Sequence, residues 1–278
     1  LLDVMEGVPQ GKALDLWQSG PLDSFTGKVT GSNDYADTAD SDVVIITAGL
    51  ARKPGMSRDD LLAKNVAIVK ACAESAVKYS PDCFMIVVTN PIDAMVHTAF
   101  KVSGLPRHRI IGMAGVLDSA RYRTFLAEAI GVAPQDVSAL VMGIHGDNML
   151  PLVRLANVGG VPVSELLSQE QIAAIVKRTQ MGGIEIVNHL KTGSAFYTPG
   201  LAAVEMAEAV INDSRRVMAC AAYLDGEFGI SGYFLGVPVI LGEKGVERIV
   251  EFTLTAEERT ALEQSVLVVA RQMAATGL

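Results

Sequence analysis

Two apolar runs constrain the fold more than any other feature: DVVIITAG at Asp42–Gly49 and CFMIVVTNP at Cys83–Pro91. Neither alternates apolar with polar residues, as a strand with one wet face must. Each therefore fits a strand covered on both sides, the situation of a parallel sheet. Between them, Asp60 to Lys78 sets Leu61, Leu62, Val66, Val69, Ala73 and Val77 at helical spacing. Pro91 closes the second run, Ile92 to Val102 reads as a helix, and Arg109 to Met113 as a short third strand. Strand, helix, strand, helix, strand is the rhythm of a doubly wound α/β sheet.

After about residue 114 the pattern changes. A helix is predicted over Ser119–Ile130, a strand over Val137–Met142, and a hairpin over Leu150–Val163 interrupted by Gly159-Gly160. Two long helices follow, over Gln169–Leu190 and Leu201–Asn212. The runs MACAAYL, GYFLG and PVILG, separated by glycines, then read as short antiparallel strands. Thr255 and Glu258, three residues apart before an apolar-periodic stretch, form a capping box for a last helix. The expected organisation is an α/β unit over residues 1–114 and an α+β unit over 115–278.

At 278 residues, half of them apolar and 19% charged, the chain can bury a substantial core. The net charge of -8 argues against a nucleic-acid surface, and no apolar stretch of membrane-spanning length occurs. Cys72, Cys83 and Cys220 are too few and scattered for a disulfide framework, which points to a reducing compartment and to buried thiols. The expected location is the cytoplasm, and no metal ligands are assigned.

Ligands bind at the carboxyl ends of strands in such sheets. Two of these ends are polar: AGLARKPGMSR, with Arg52, Lys53 and Arg58, and TNP, with Asn90. The first reads either as a solvated basic loop or as a lid carrying guanidiniums to an anion. A third loop, GIHGDN, sets His145 between two glycines after an apolar run. Asp118 and Arg121, three apart at a helix start, share a face. They can form a local ion pair, or Asp118 can orient a histidine while Arg121 grips a carboxylate through its planar fork. Asp118 and Asp147 are both candidate partners for His145, and spacing alone leaves the choice open. Arg123 reads as an ordinary helix residue, and His97, His108 and His189 as structural or surface histidines.

The stretches DVMEGVPQGKALDL, TAGLARKPGMSRDDLLAKN, VVTNPIDAM, GMAGVLDSARYRTFLA, MGIHGDNMLP and FLGVPVILG, in this order over nearly the whole chain, carry a resemblance. The chain resembles the NAD-dependent lactate and malate dehydrogenases, most of all the lactate-dehydrogenase-like malate dehydrogenases of bacteria. The resemblance implies a Rossmann-type NAD-binding domain over 1–114 and a substrate domain over 115–278. It also implies reversible oxidation of malate to oxaloacetate in a homodimer or homotetramer.

By the same resemblance His145 is the proton-exchanging histidine and Asp118 the carboxylate that holds it. Arg121 binds the substrate's first carboxylate, Arg58 polarises the carbonyl, and Arg52 stands where malate-specific members carry arginine and lactate-specific members glutamine. Asn90, before a peptide bond that is cis in many relatives, contacts substrate and nicotinamide. Asp3 takes the adenosine ribose hydroxyls, with Asn65 and Thr89 counted among the cofactor-facing residues. GSAFYTPG, with Ser194 and Ala195, is expected to line the substrate pocket. The family's glycine-rich fingerprint lies about a helix and two strand ends before the ribose acid. Only two residues precede Asp3. The first strand, the pyrophosphate turn and the first helix are therefore expected in residues ahead of Leu1.

Overall fold

The computed structural model describes residues 1–50 and 58–278. Leu2 forms an isolated parallel bridge with Ser32, and the Asp3 N–H donates to the Ser32 carbonyl at 3.3 Å. Helix α1 (Val8–Gln18) opens with Pro9 in its first turn, where a missing N–H leaves no bond unmade. A single turn, α2 (Gly20–Asp23), follows it.

Then come β1 (Val43–Ile46), α3 (Arg58–Tyr79), β2 (Phe84–Val87), α4 (Ile92–Ser103) and β3 (Ile110–Gly112), in the order the apolar runs predict. β1 pairs with β2 and β2 with β3, both parallel, with Val44 opposite Met85 and Ile86 opposite Ile111. All four residues of β2 are buried, as an unalternating apolar run requires.

The second half contributes α5 (Gly115–Ile130), β4 (Val137–Ser138), β5 (Val141–Met142), β6 (Leu150–Pro151), β7 (Asn157–Val158) and β8 (Val161–Pro162). The helices α6 (Val163–Leu166), α7 (Gln169–Leu190) and α8 (Tyr197–Ile211) follow. Three strands and a helix complete the chain: β9 (Arg216–Asp225), β10 (Ser231–Gly242), β11 (Gly245–Ile249) and α9 (Ala256–Ala274). Both long helices at this end begin with reciprocal capping boxes, Ser168 with Gln171 on α7 and the expected Thr255 with Glu258 on α9. Each such cap stabilises its helix by about 1 kcal/mol.

β1, expected to be covered on both faces, is an edge strand with Ile45 39% exposed. Two further stretches divide or merge differently from the expected strands. The run Val137–Met142 is two strands, because the chain passes from one small sheet to another. β4 pairs with β7, β5 pairs with β6, and between them the Leu140 carbonyl accepts from Leu152 N–H at 2.9 Å. GYFLG and PVILG, conversely, form one strand, β10, despite Pro238. The Pro238 carbonyl accepts from Val250 N–H, just past the last β11 pair, Val239 with Ile249. The missing proline donor therefore falls on the terminal rung, where it removes only the second of two bonds.

The antiparallel strands extend the parallel sheet instead of forming one of their own. The order is β1-β2-β3-β9-β10-β11, joined where Gly112 pairs with Ala221. The main core accordingly runs through both halves of the chain, and a second cluster centred on Tyr122, Leu126 and Ile175 lies between α5 and α7. Among the described residues no helix is long and apolar enough to cross a membrane. Cys83 and Cys220 are buried, Cys72 is half-buried, and all three are free thiols.

Candidate active site

The loop after β5 shows why a histidine sits between glycines. Gly143 has φ +83° and Gly146 φ +136°, conformations that residues with a Cβ rarely adopt. Gly143 also exchanges two backbone hydrogen bonds with Gly236 of β10, at 2.8 and 2.9 Å, which ties the loop to the sheet. A side chain on Gly236 would lie 2.7 Å from the Gly143 oxygen, so the close approach depends on its absence. His145 leaves this anchored turn with its ring 15% exposed.

The His145 ring meets Asp118, in the first turn of α5, with Nδ1 at 2.8 Å from Oδ2. Arg121 Nη1 donates to the other Asp118 oxygen at 3.2 Å, and the Asp118 side chain is 2% exposed. Asp118 thus meets Arg121 and the His145 ring at once, one carboxylate oxygen to each. Asp147, the other candidate, is exposed. Since Nδ1 faces a carboxylate, it carries the proton in the neutral ring, and Nε2 is left to exchange one.

Electrostatics favour the charged ring. Burial pushes the His145 pKa down, but the charge and hydrogen bond of Asp118, joined by the charge of Asp93, outweigh burial and the opposing Arg121, so the net direction is up. A histidine of this kind holds a proton to higher pH than usual and releases it through a single free nitrogen.

Asp93, which the sequence reading did not single out, lies against the same loop. Its Oδ2 accepts the His145 backbone N–H at 3.3 Å, and Oδ1 has no hydrogen-bond partner among the described residues. Only 1% exposed, Asp93 has its pKa pushed up to about 7, first by burial and then by the Asp118 charge, against the lowering effects of His145 charge and backbone N–H groups. The available signal was its place in the first turn of α4, which reads equally well as an acid complementing a helix dipole.

The remaining candidates divide. Arg52 lies outside the described residues, as does the side chain of Arg58. Asn65, 1% exposed, accepts from Leu50 N–H at 2.8 Å and donates to the Asn90 carbonyl at 2.8 Å. Thr89 donates to the Ala48 carbonyl at 2.7 Å. These two side chains thus brace the loops after β1 and β2 against one another. A side chain on Gly49 would meet Thr89 Cγ2 at 2.5 Å, so this junction is closed to anything larger than glycine.

The exposed Asn90 precedes a cis bond to Pro91. Asp3 follows the Leu2–Ser32 bridge, and one of its carboxylate oxygens accepts from Met5 N–H at 2.9 Å. Ser194 is exposed and Ala195 half-buried, on the connection between α7 and α8. Arg123 donates to the Val137 and Pro134 carbonyls, as an ordinary structural residue would. His108 and His189 are exposed, whereas His97 is buried and its Nδ1 has no partner among the described residues.

Asp3 and Asn90 offer a half-buried carboxylate and an exposed amide. That set fits an extended nucleotide lying across strand ends. Comparison with known proteins gives the arrangement a family. Residues 1–112 match the lactate/malate dehydrogenase NAD binding domain, and residues 115–275 the lactate/malate dehydrogenase alpha/beta C-terminal domain. The chain is 56% identical over 269 residues to the malate dehydrogenase of Chlorobium luteolum, covering 97% of this chain and 87% of that protein.

Solved structures agree. Cryptosporidium parvum malate dehydrogenase superposes with a TM-score of 0.96 at 46% identity, covering 99% of this chain and 90% of that one. The lactate dehydrogenase of the same organism, solved with lactic acid and nicotinamide adenine dinucleotide, also gives 0.96 at 46% identity, over 100% and 89%. The chain carries an NAD-binding domain and belongs to the lactate/malate dehydrogenase family.

Proposed function

We propose that the protein is an NAD-dependent malate dehydrogenase, interconverting (S)-malate and oxaloacetate, with His145 as the acid and base. The observation that carries this reading is the convergence of His145 and Arg121 on one buried carboxylate, Asp118. NAD, when bound, supplies or accepts the hydride; the chain supplies position, charge and the proton.

For reduction, Arg121 pairs with the carboxylate next to the ketone, and the ketone oxygen lies at His145 Nε2. Charged His145 donates its proton to that oxygen as negative charge develops there. Asp118 holds the ring orientation and stabilises the imidazolium. For oxidation, neutral His145 takes the hydroxyl proton through the same nitrogen. Arg58 is assigned to the developing oxygen charge. Asp3, Asn65, Thr89 and Asn90 are assigned to the cofactor side, Asn90 reaching the substrate as well. The carboxylate of Asp3 attracts two ribose hydroxyls and repels a 2′-phosphate, which favours NAD over NADP.

Arg52 is assigned to the second carboxylate. An unpaired charge in a closed site costs about 2–5 kcal/mol, equivalent to roughly 30- to 5,000-fold in rate or affinity. Arg52 removes that penalty for oxaloacetate and imposes one on pyruvate, whose methyl group leaves the guanidinium unpartnered. The similar lactate dehydrogenase structure supports a lactate or other 2-hydroxy-acid dehydrogenase as the second reading, and a catalytically silent binding or structural homologue is the third. We assign residues 1–114 to the cofactor domain and 115–278 to the substrate domain, in a cytoplasmic homodimer or homotetramer.

Steady-state kinetics with NADH and each keto acid decide among the three. Malate dehydrogenase activity requires a kcat/KM for oxaloacetate at least about 30-fold above that for pyruvate, following from the same charge penalty. Preference for pyruvate establishes the lactate reading, and no NADH oxidation with either establishes the silent one.

A further inference from the structure

Helix α7 carries adjacent glycines, Gly182 and Gly183, in the middle of its 22 residues. Glycine is, after proline, the least favourable helix residue. Neither glycine adopts a positive φ, so backbone freedom does not account for them. Their surroundings differ sharply. A Cβ on Gly182 would lie 2.5 Å from Arg121 Cδ, 3.0 Å from Nε and 3.5 Å from Cγ. A Cβ on Gly183 would meet Arg121 only at Nη2, at an ordinary contact distance of 3.9 Å. Gly182 is buried where α7 packs on α5. The Arg121 stem lies in the notch left by the missing side chain, and Asp118 holds the far end of the same group through Nη1 at 3.2 Å.

We propose that Gly182 is a positioning residue for Arg121, its absent side chain fixing how far the guanidinium reaches past Asp118 toward the substrate carboxylate. The inference rests on the assignment of Arg121 to that carboxylate. Its physical basis is rigidity. The clash falls on Cδ and Nε, so relieving it moves the whole planar fork, and a fork misplaced by about 1 Å loses two-point contact, an error on the order of tenfold to 100-fold in kcat/KM. Arg121 grips the carboxylate before and during reaction alike, so the loss is carried by KM.

The test compares Gly182→Ala with Gly183→Ala in the full-length protein, using oxaloacetate and NADH. The two substitutions change helix propensity equally, yet only the first meets the Arg121 stem. Gly182→Ala is expected to raise KM for oxaloacetate by about tenfold or more, leaving KM for NADH and kcat within about threefold. Gly183→Ala should match the wild type. Equal effects of the two variants, an unchanged oxaloacetate KM in Gly182→Ala, or a parallel rise in both KM values would overturn the proposal.

Thermal melts form a second arm, independent of substrate. In the Arg121→Ala background, which removes the clash, Gly182→Ala should raise Tm by helix propensity; with Arg121 present it should lower Tm. If Gly182→Ala fails to fold, this pair of backgrounds still decides, since a drop of Tm in both refutes contact with Arg121. Absence of wild-type activity on oxaloacetate would refute the functional reading and leave the melting comparison standing.

Discussion

Asp93→Asn separates the charge of a buried carboxylate from its shape. In the folded protein Asp93 is 1% exposed, and its pKa rises from 3.8 to about 7, chiefly through burial. That rise corresponds to roughly 4 kcal/mol of preference for the protonated form in the folded state over the unfolded one. Between pH 3.8 and about 7 the folded protein keeps a proton on Asp93 that the unfolded chain has released, so stability falls as pH rises. The contribution is complete below the unfolded pKa and gone above the folded one. Asparagine keeps the shape and an oxygen for His145 N–H but does not titrate. Its fixed difference from aspartic acid is the same at every pH, and only the slope identifies the carboxylate. Urea denaturation of both proteins at pH 5 and pH 8 should therefore show the variant gaining on the wild type by roughly 3 kcal/mol across that interval. A difference that stays constant with pH would show that Asp93 is not held protonated, and would refute the argument from its burial.

Other expectations concern the site. Asp118→Asn removes the main group that raises the His145 pKa, so the fall of reductive kcat/KM with rising pH should move to lower pH, with a loss on the order of 10²- to 10⁴-fold at neutral pH; an unshifted profile would count against the pairing. Gly236→Ala places a Cβ 2.7 Å from the Gly143 oxygen and should lower stability by about 1–3 kcal/mol and kcat together, read by melting and steady-state rates. Arg52→Gln should shift the oxaloacetate-to-pyruvate ratio of kcat/KM toward pyruvate by at least about tenfold; an unchanged ratio would remove Arg52 as the selector.

Some of this was legible in the sequence because it is local. Continuous apolar runs gave β1 to β3, the Thr255–Glu258 spacing gave the start of α9, and paired glycines marked the turn that carries His145. What needed the fold was long-range. Spacing alone could not choose between Asp118 and Asp147 for His145, a contact across 27 residues that only the resemblance had pointed to. The merging of β10 depends on where β11 ends, and the splitting of Val137–Met142 on which segments lie beside it. Asp93 was hidden because a first-turn acid has an ordinary explanation, and its burial is set by packing from elsewhere. Gly182 was silent for a related reason: a helix glycine has no meaning until the residue filling its notch is known. The substrate and cofactor roles of Arg52, Arg58, Arg121, Asn90, Asp3, Asn65 and Thr89 come from the resemblance.

In the proposed reaction His145 exchanges the proton with the substrate oxygen. The most direct test is the pH dependence of NADH-driven oxaloacetate reduction in the wild type and in His145→Asn. The wild-type kcat/KM should fall as pH rises through the elevated histidine pKa. The variant should be slower by about 10²- to 10⁴-fold and should lack that fall. A variant that stays within about tenfold of the wild type, with the same pH profile, would rule out His145 as the proton donor.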